Sequence, residues 1–115
     1  LVGKVDAFVT TTDTLMQNGG EELLIKLSLK HKIPILSSNK KGVEQGATFG
    51  PVADFYTLGK ISGGKAARIL NHQENPSRLE SEYQDPPLTL LNKASIAALG
   101  INIPESLLKT SKWVE

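Results

Sequence analysis

Apolar residues in this chain occur in short runs that are separated by longer segments with helical spacing. The short runs predict buried strands, which we place at Asp6–Thr10, Ile33–Leu36, Ala47–Gly50 and Leu88–Leu91. Apolar residues three or four positions apart predict the longer helices, which we place at Gly20–Lys30 and from Asp54 to about Leu70. Shorter helices are expected at Val43–Gly46, Asn92–Gly100 and Pro104–Leu108.

This alternation of strands and helices predicts an α/β fold. Strands that are apolar throughout are typical of a parallel sheet with helices on both faces. The expected inward residues are Leu23, Leu24 and Leu27 in the first long helix and Phe55, Leu58, Ile61, Ala66 and Ile69 in the second. Gly59, Gly63 and Gly64 each weaken the second helix by about 1 kcal/mol relative to alanine, so we expect close packing to require them.

Small polar residues follow the predicted strands at their carboxyl ends, where parallel sheets bind ligands. The candidate ligand-binding residues are Thr12, Asp13, Thr14, Ser38, Asn39, Phe49 and Gly50. Asp13 can form a charge-assisted bond to an ammonium group. The structural alternatives are helix capping at residues 12–14, turn formation at Ser38 and Asn39, and core packing at Phe49. Pro51 should end the pairing of the third strand.

The composition gives no indication of nucleic acid or a membrane surface as a partner. Thirteen basic and 12 acidic residues leave a net charge of +1, whereas nucleic-acid-binding domains usually carry a basic patch. The chain has no cysteine, and neither of its two histidines has an obvious serine and aspartate arrangement. We therefore predict no catalytic residues, no metal site and no cofactor.

One glycine-rich stretch has the spacing of a phosphate-binding loop. Gly59, Gly64 and Lys65 match that pattern, but Ala66 stands where the loop needs a hydroxyl group. The stretch also lies inside a predicted helix instead of between a strand and a helix, so nucleotide binding is not expected.

Five segments, in order along the chain, resemble one protein family. They are Asp6–Asp13, Lys32–Ser38, Gly46–Pro51, Leu58–Gly59 together with Ala66–Leu70, and Leu99–Leu108. These segments are similar to ABC-transporter substrate-binding proteins, a family that includes tryptophan-binding lipoproteins. The resemblance covers almost the whole chain, and its specificity comes from the order and spacing of the five segments.

The resemblance implies a type I periplasmic-binding-protein fold, a Rossmann-like architecture whose two α/β lobes close on a ligand. The chain would then be the C-terminal portion of a two-lobe protein. Residues 1–53 and 86–115 would belong mainly to the second lobe, and the helix within 54–75 would pack on the first. Because the chain starts without Met in a strand-like pattern, we expect a longer N-terminal portion, with any signal segment, to precede it.

The family's function is implied in the same way. The resemblance indicates a periplasmic protein or cell-surface lipoprotein that delivers a small organic solute, such as an amino acid or similar zwitterion, to an ABC permease of the inner membrane. A ligand-sensing regulatory domain of the same fold and a small α/β enzyme are the alternatives. If the first lobe is absent, the apolar face of the helix from Asp54 is uncovered, which predicts that this chain alone self-associates.

Two departures from the family pattern leave the identity of the solute open. Relatives commonly have Pro-Thr-Asp-Asn after the first of these strands, so Thr12 and Asp13 match whereas Thr11 and Thr14 do not. Asn39 stands where relatives often have an acidic residue. Both differences change the polar groups that would meet the solute.

Overall fold

A five-stranded sheet organises the structure, a computed structural model that describes all 115 residues. The strands lie side by side in chain order: β1 (Phe8–Thr10), β2 (Ile35–Ser37), β3 (Phe49–Val52), β4 (Leu88–Asn92) and β5 (Ser111–Val114). The helices are α1 (Glu21–His31), α2 (Lys40–Gln45), α3 (Phe55–His72), α4 (Lys93–Leu99) and α5 (Glu105–Leu108). This arrangement confirms the predicted α/β fold.

The sheet is mostly parallel, with one antiparallel step. β1 with β2, β2 with β3, and β4 with β5 are parallel pairs, whereas β3 and β4 run in opposite directions. The expectation that Pro51 ends the third strand is wrong, because Pro51 pairs with Thr89 and Val52 with Leu88. β2 pairs with β3 only through Leu36 and Phe49. Pro51 therefore has a strand on one side only, a position that tolerates its missing N–H.

The chain divides into two compact units, one made of residues 1–52 and 88–115 and the other of residues 53–87. The first unit contains the sheet, and the second contains α3. Asp54 caps α3, as expected: its carboxylate accepts hydrogen bonds from the Tyr56 N–H at 3.3 Å and the Thr57 hydroxyl at 2.7 Å. Arg68 and Glu74 form a bidentate ion pair near the end of the helix, with Nη2 and Oε2 2.7 Å apart.

The residues expected to face inward on α3 are only partly buried. Leu58, Ile61 and Ile69 are half-buried, but Phe55 and Ala66, which we expected to face inward, are exposed. A Cβ atom added at Gly59, Gly63 or Gly64 would meet nothing within 4 Å. The expected close packing at these glycines is therefore not found within the chain.

The buried face of α1 also differs from the apolar face expected. Its buried residues are Glu21, Ile25 and Ser28, which lie one helical turn apart. Leu23 and Leu27, expected to face inward, are 61% and 44% exposed. The helix takes this orientation because polar partners meet its two buried polar residues: the Ser28 hydroxyl donates to the Ile33 carbonyl, and Glu21 accepts hydrogen bonds from the sheet.

The main core lies where α1 and α2 pack against one face of the sheet. Its members are Ile25, Ile35, Val43, Ala47, Val52 and Leu90. The opposite face carries a continuous row of apolar side chains, because residues in register across the strands point the same way. That row is Val9, Leu36, Phe49, Leu91 and Trp113. Val9 at the edge of the sheet is 72% exposed, so β1 is not the buried strand that its sequence predicts.

A buried carboxylate joins α1 to the carboxyl ends of β1 and β2. Glu21 is only 2% exposed. Its Oε1 accepts hydrogen bonds from the hydroxyl groups of Thr10 at 2.7 Å and Ser37 at 2.5 Å, and its Oε2 accepts one from Asn39 Nδ2 at 3.1 Å. We call these four residues the Glu21 cluster. No cationic side chain pairs with the carboxylate, so neutral donors alone replace its hydration.

The carboxylate of Glu21 also requires a glycine in α2. Gly42 is buried, and a Cβ atom built on it would overlap the carboxylate group of Glu21. The amino end of α2 lies beside the carboxylate, since Asn39 is the N-cap of α2 and donates to Glu21. The partial positive charge at that helix end favours an anion there. α1 instead continues from a π-helical turn, Met16–Gly20, and the Glu21 N–H donates to the Met16 carbonyl.

A second buried polar residue, Asn92, connects α2, β4 and α4 near the amino end of β3, where its N–H donates to the Thr48 carbonyl. Its side-chain amide donates to the Val43 carbonyl at 2.8 Å, and its Oδ1 accepts from the Ser95 N–H at 2.9 Å. The Ser95 hydroxyl then donates to the Gly46 carbonyl at 2.6 Å. Asn92 thus caps α4, as expected, and at the same time holds the end of α2.

Substitution of Gly42 should test the packing against Glu21. We expect Gly42→Ala to lower the free energy of unfolding by about 1–3 kcal/mol, because the added methyl group overpacks a rigid site. The matched control is Gly64→Ala in α3, where the methyl group enters open space and should raise stability by up to about 1 kcal/mol through helix propensity. Urea unfolding of both variants measures the two effects, and equal effects would contradict the packing explanation.

Candidate functional site

The loops that follow β1 and β2 lie next to each other at the carboxyl ends of these parallel strands. Thr10 and Ser37 are register partners, and the Ser38 hydroxyl donates a hydrogen bond to the Thr10 carbonyl at 3.1 Å. The structure therefore brings the segments 11–14 and 38–39 together at one edge of the sheet. This is where the candidate ligand-binding residues of both loops were expected to meet.

Asp13 caps the helical residues 14–20, which lead into α1. Its Oδ1 accepts a hydrogen bond from the Met16 N–H at 3.0 Å, and its Oδ2 accepts one from the Thr11 hydroxyl at 3.0 Å. These two hydrogen bonds hold the pKa of the Asp13 carboxyl below its usual value, and the bond from Met16 has the larger effect. The side chain is nevertheless exposed, so a charged carboxylate faces solvent beside the strand ends.

Thr12 and Thr14, on either side of Asp13, are exposed. Neither hydroxyl has a hydrogen-bond partner within the chain. They are therefore the residues of the first loop whose side chains are free to bind an external molecule. Their contact with a solute remains a prediction.

Asn39 and Ser38 in the second loop are already engaged. Asn39 Nδ2 donates to Glu21, and Asn39 Oδ1 accepts from the Lys41 N–H at 3.2 Å to cap α2. The Ser38 hydroxyl donates to the β1 carbonyl described above, and Ser38 itself is exposed. We weighed only a turn as the structural role of these two residues, and the cap that Asn39 forms at α2 was not predicted. Ligand binding by either residue would use the remaining Nδ2 hydrogen of Asn39 or the Ser38 oxygen as acceptor.

Phe49 and Gly50 are placed differently from the loop residues. We expected them near the carboxyl end of the third strand, but they are the first two residues of β3, which continues to Val52. Phe49 is half-buried in the apolar row between Leu36 and Leu91. Gly50 is buried, and a Cβ atom there would overlap the Ser37 carbonyl. These positions favour packing for Phe49 and close backbone approach for Gly50, and solute contact by either residue stays a prediction.

Glu21 is a buried residue behind the two loops that was not among the predicted site residues. A glutamate in the first turn of an amphipathic helix is ordinarily read as a solvated residue that complements the helix dipole. The signal that could have identified it is its spacing: Glu21, Ile25 and Ser28 share one helical face. Neighbouring Glu22, in contrast, is exposed and pairs with Lys26 at 2.8 Å.

A polar cavity of about 210 Å³ lies beside the second loop. It is lined by Met16, Gln17, Asn18, Gly19, Glu22, Asn39, Lys41 and Gln45. Asn39 is the predicted ligand-binding residue that reaches this cavity. Apart from Met16 and Gly19, the other lining residues carry amide or charged side chains, which can hydrogen-bond a small polar molecule.

Other features of the chain do not suggest further chemistry. No three His, Cys, Asp or Glu side chains lie together as a metal site would need. Gly59, Gly64 and Lys65 lie within the continuous helix α3, so the backbone there does not form a phosphate-binding loop. None of the helices has both the length and the apolar character that crossing a membrane requires.

Comparison with solved structures shows what the fold is similar to. A ligand-free, open substrate-binding protein with adhesive properties from Clostridium difficile matches with a TM-score of 0.81 and 28% identity, over 100% of this chain and 38% of that one. An ABC domain in complex with L-Trp from Streptococcus pneumonia matches with a TM-score of 0.75 and 28% identity, over 99% of this chain and 39% of that one. A conserved domain protein from Vibrio cholerae shares the fold with a TM-score of 0.76 and 24% identity, over 99% and 38%.

These comparisons agree with a match at the level of sequence families. The chain spans only 38–39% of the length of the three solved structures. No curated protein matches it. The model of the family described as ABC transporter substrate binding protein, however, matches residues 1–115. The chain therefore belongs to the ABC transporter substrate-binding protein family.

Proposed function

We propose that this chain forms part of an extracytoplasmic protein that binds an amino acid or similar zwitterion and delivers it to an ABC permease. The observation that carries the proposal is the convergence of two polar loops at the carboxyl ends of β1 and β2, within a chain that the family matches over its whole length. The L-Trp bound by the solved structure from Streptococcus pneumonia supports an amino acid as the class of solute.

The first loop has the chemistry that a zwitterion requires. The exposed carboxylate of Asp13 can pair with an ammonium group, and the free hydroxyl groups of Thr12 and Thr14 can donate to a carboxylate. Ser38 and Asn39 extend this polar surface on the second loop. The mechanism is one of binding: desolvation, hydrogen bonding and closure around the solute, with no bond made or broken.

Localisation and partners follow from the same proposal. The protein would act in the periplasm or as a cell-surface lipoprotein, because the family's members present solutes to importers from outside the cytoplasm. Its partners are the small solute and the permease of the inner membrane. Transport of the solute in cells that lack this protein, compared with the parent strain, measures whether delivery depends on it.

Solute contacts can be mapped directly in the whole protein. We expect addition of L-tryptophan or another L-amino acid that binds to shift the amide resonances of Thr12–Thr14 and Ser38–Asn39, because these loops form the site. Residues of α4 at the opposite end of the sheet serve as the internal control and should not shift. A bound solute that leaves both loops unperturbed would contradict the site assignment, and Phe49 and Gly50 are tested in the same spectra.

Substitution of Asp13 separates solute binding from helix capping. We expect Asp13→Asn to keep the cap, since asparagine caps as well as aspartate, but to weaken solute binding by about ten- to 100-fold because a charged hydrogen bond is lost. Asp13→Ala should lower both affinity and melting temperature. Calorimetric titration and thermal melts give the two quantities, with exposed Asp6→Asn as the control. Unchanged affinity in Asp13→Asn would leave only the capping role.

The pH dependence of solute binding should follow the lowered pKa of Asp13. The cap hydrogen bonds favour the ionised form of the Asp13 carboxyl. Their contribution to folding stability is therefore complete above the ordinary aspartate pKa of about 4, and it is lost as the pH falls through the lowered pKa of the folded protein. Affinity should therefore be constant between about pH 7 and pH 5 and should decrease only in stronger acid. A decrease that begins near pH 6 would indicate a different titrating group.

We also propose that the 115-residue chain, taken alone, self-associates. α3 has no buried residue, and its large apolar side chains Phe55, Tyr56 and Leu70 are 79%, 77% and 78% exposed. Soluble monomers rarely keep such a surface uncovered. Light scattering over a range of concentrations should show a rising average mass, which Phe55→Ser with Leu70→Ser should reduce. A constant monomer mass for the unsubstituted chain would refute this proposal.

A further inference from the structure

The Glu21 cluster lies directly behind the two loops of the proposed solute site. Its four members come from the ends of β1 and β2, from the start of α1 and from the N-cap of α2. Glu21 is the common acceptor, and no other side chain accepts from these three donors. Removal of the carboxylate would therefore leave the buried Thr10 hydroxyl and the Asn39 amide without this partner, and would leave the buried Ser37 hydroxyl only the Asn39 carbonyl at 3.3 Å.

We propose that Glu21 is the positioning residue of the solute site, because its carboxylate holds the loop segments 10–14 and 37–41 in their relative places. This inference rests on the proposed solute-binding function and identifies a residue that does not itself touch the solute. Glu21 acts on the first loop through Thr10 and on the second through Ser37 and Asn39.

Asn39 connects Glu21 to the backbone at the start of α2. Donation from Nδ2 to Glu21 fixes the orientation of the amide, so Oδ1 points to the Lys41 N–H and caps α2. The Ser37 hydroxyl donates to Glu21 and also accepts from the Asn39 N–H at 3.0 Å. The backbone of residues 37–41 is thus tied to one carboxylate by consecutive hydrogen bonds.

The two oxygen atoms of Glu21 accept from different donors, so replacing one of them by a donor tests the positioning role. In Glu21→Gln the amide oxygen can replace Oε1 and accept from both hydroxyl groups, but the amide nitrogen then replaces Oε2 and faces Asn39 Nδ2, which is also a donor. We expect amide exchange at residues 37–41 to become about tenfold faster and the affinity for the L-amino acid that the protein binds to fall by about tenfold.

A second substitution should reverse this effect. In Glu21→Gln combined with Asn39→Asp, the aspartate oxygen atoms accept from the new amide nitrogen and from the Lys41 N–H, so every hydrogen bond has a donor and an acceptor again. Exchange at residues 37–41 should return to within about threefold of the wild-type rates. Only exchange measures this rescue, because Asn39 is itself one of the proposed solute-binding residues. Asn39→Asp alone places two carboxylates in contact and should be the most damaging change.

The control is Glu105→Gln, which removes an exposed glutamate from the first turn of α5, away from the two loops and the polar cavity, and should alter neither quantity. Normal exchange at residues 37–41 in folded Glu21→Gln, unchanged affinity in that single variant, or absence of rescue of exchange by the double substitution would overturn the inference. If Glu21→Gln does not fold, a folded double variant with wild-type exchange at residues 37–41 supports it, and an unfolded one overturns it. If the wild-type protein binds no L-amino acid, the proposed function fails. Amide exchange at residues 37–41 in Glu21→Gln and in the double variant still decides whether Glu21 positions the loops.

Discussion

The need to hydrogen-bond a carboxylate that is withheld from water determines how the carboxyl edge of this sheet is built. A buried unpaired charge would be strongly destabilising, and Glu21 avoids this through three neutral donors and the amino end of α2. The same requirement explains the orientation of α1, the absence of a side chain at Gly42 and the direction of the Asn39 amide. The polar loops in front of the cluster take their positions from these constraints.

Local signals were sufficient for most elements of the fold. The first four strands, the two longer helices and the caps at Asp54 and Asn92 follow from apolar spacing and side-chain chemistry within a few residues. β5 could not be predicted because its short, half-polar sequence becomes a strand only through its pairing with β4. The antiparallel direction of β4 likewise depends on the path of the intervening residues, which hydrophobic periodicity does not encode.

The candidate site was predictable to the level of loops and less so to the level of side chains. The rule for parallel sheets placed the loops after β1 and β2 correctly, and the structure brings them together. The same rule misjudged Phe49, because the true end of β3 lies beyond Pro51. Glu21 escaped notice for a physical reason: its importance arises from Thr10, Ser37 and Asn39, which are distant in sequence and converge only in the folded chain.

The pairing of Val52 with Leu88 has an evolutionary consequence. Because β3 and β4 run in opposite directions, the segment from Ala53 to Pro87 leaves the sheet and rejoins it at neighbouring points, and it forms a compact unit of its own. Lengthening such a segment adds little loop-closure entropy, and its ends stay anchored by the strand ladder. Changes in the length of this segment should therefore leave the pairing of β3 with β4 intact.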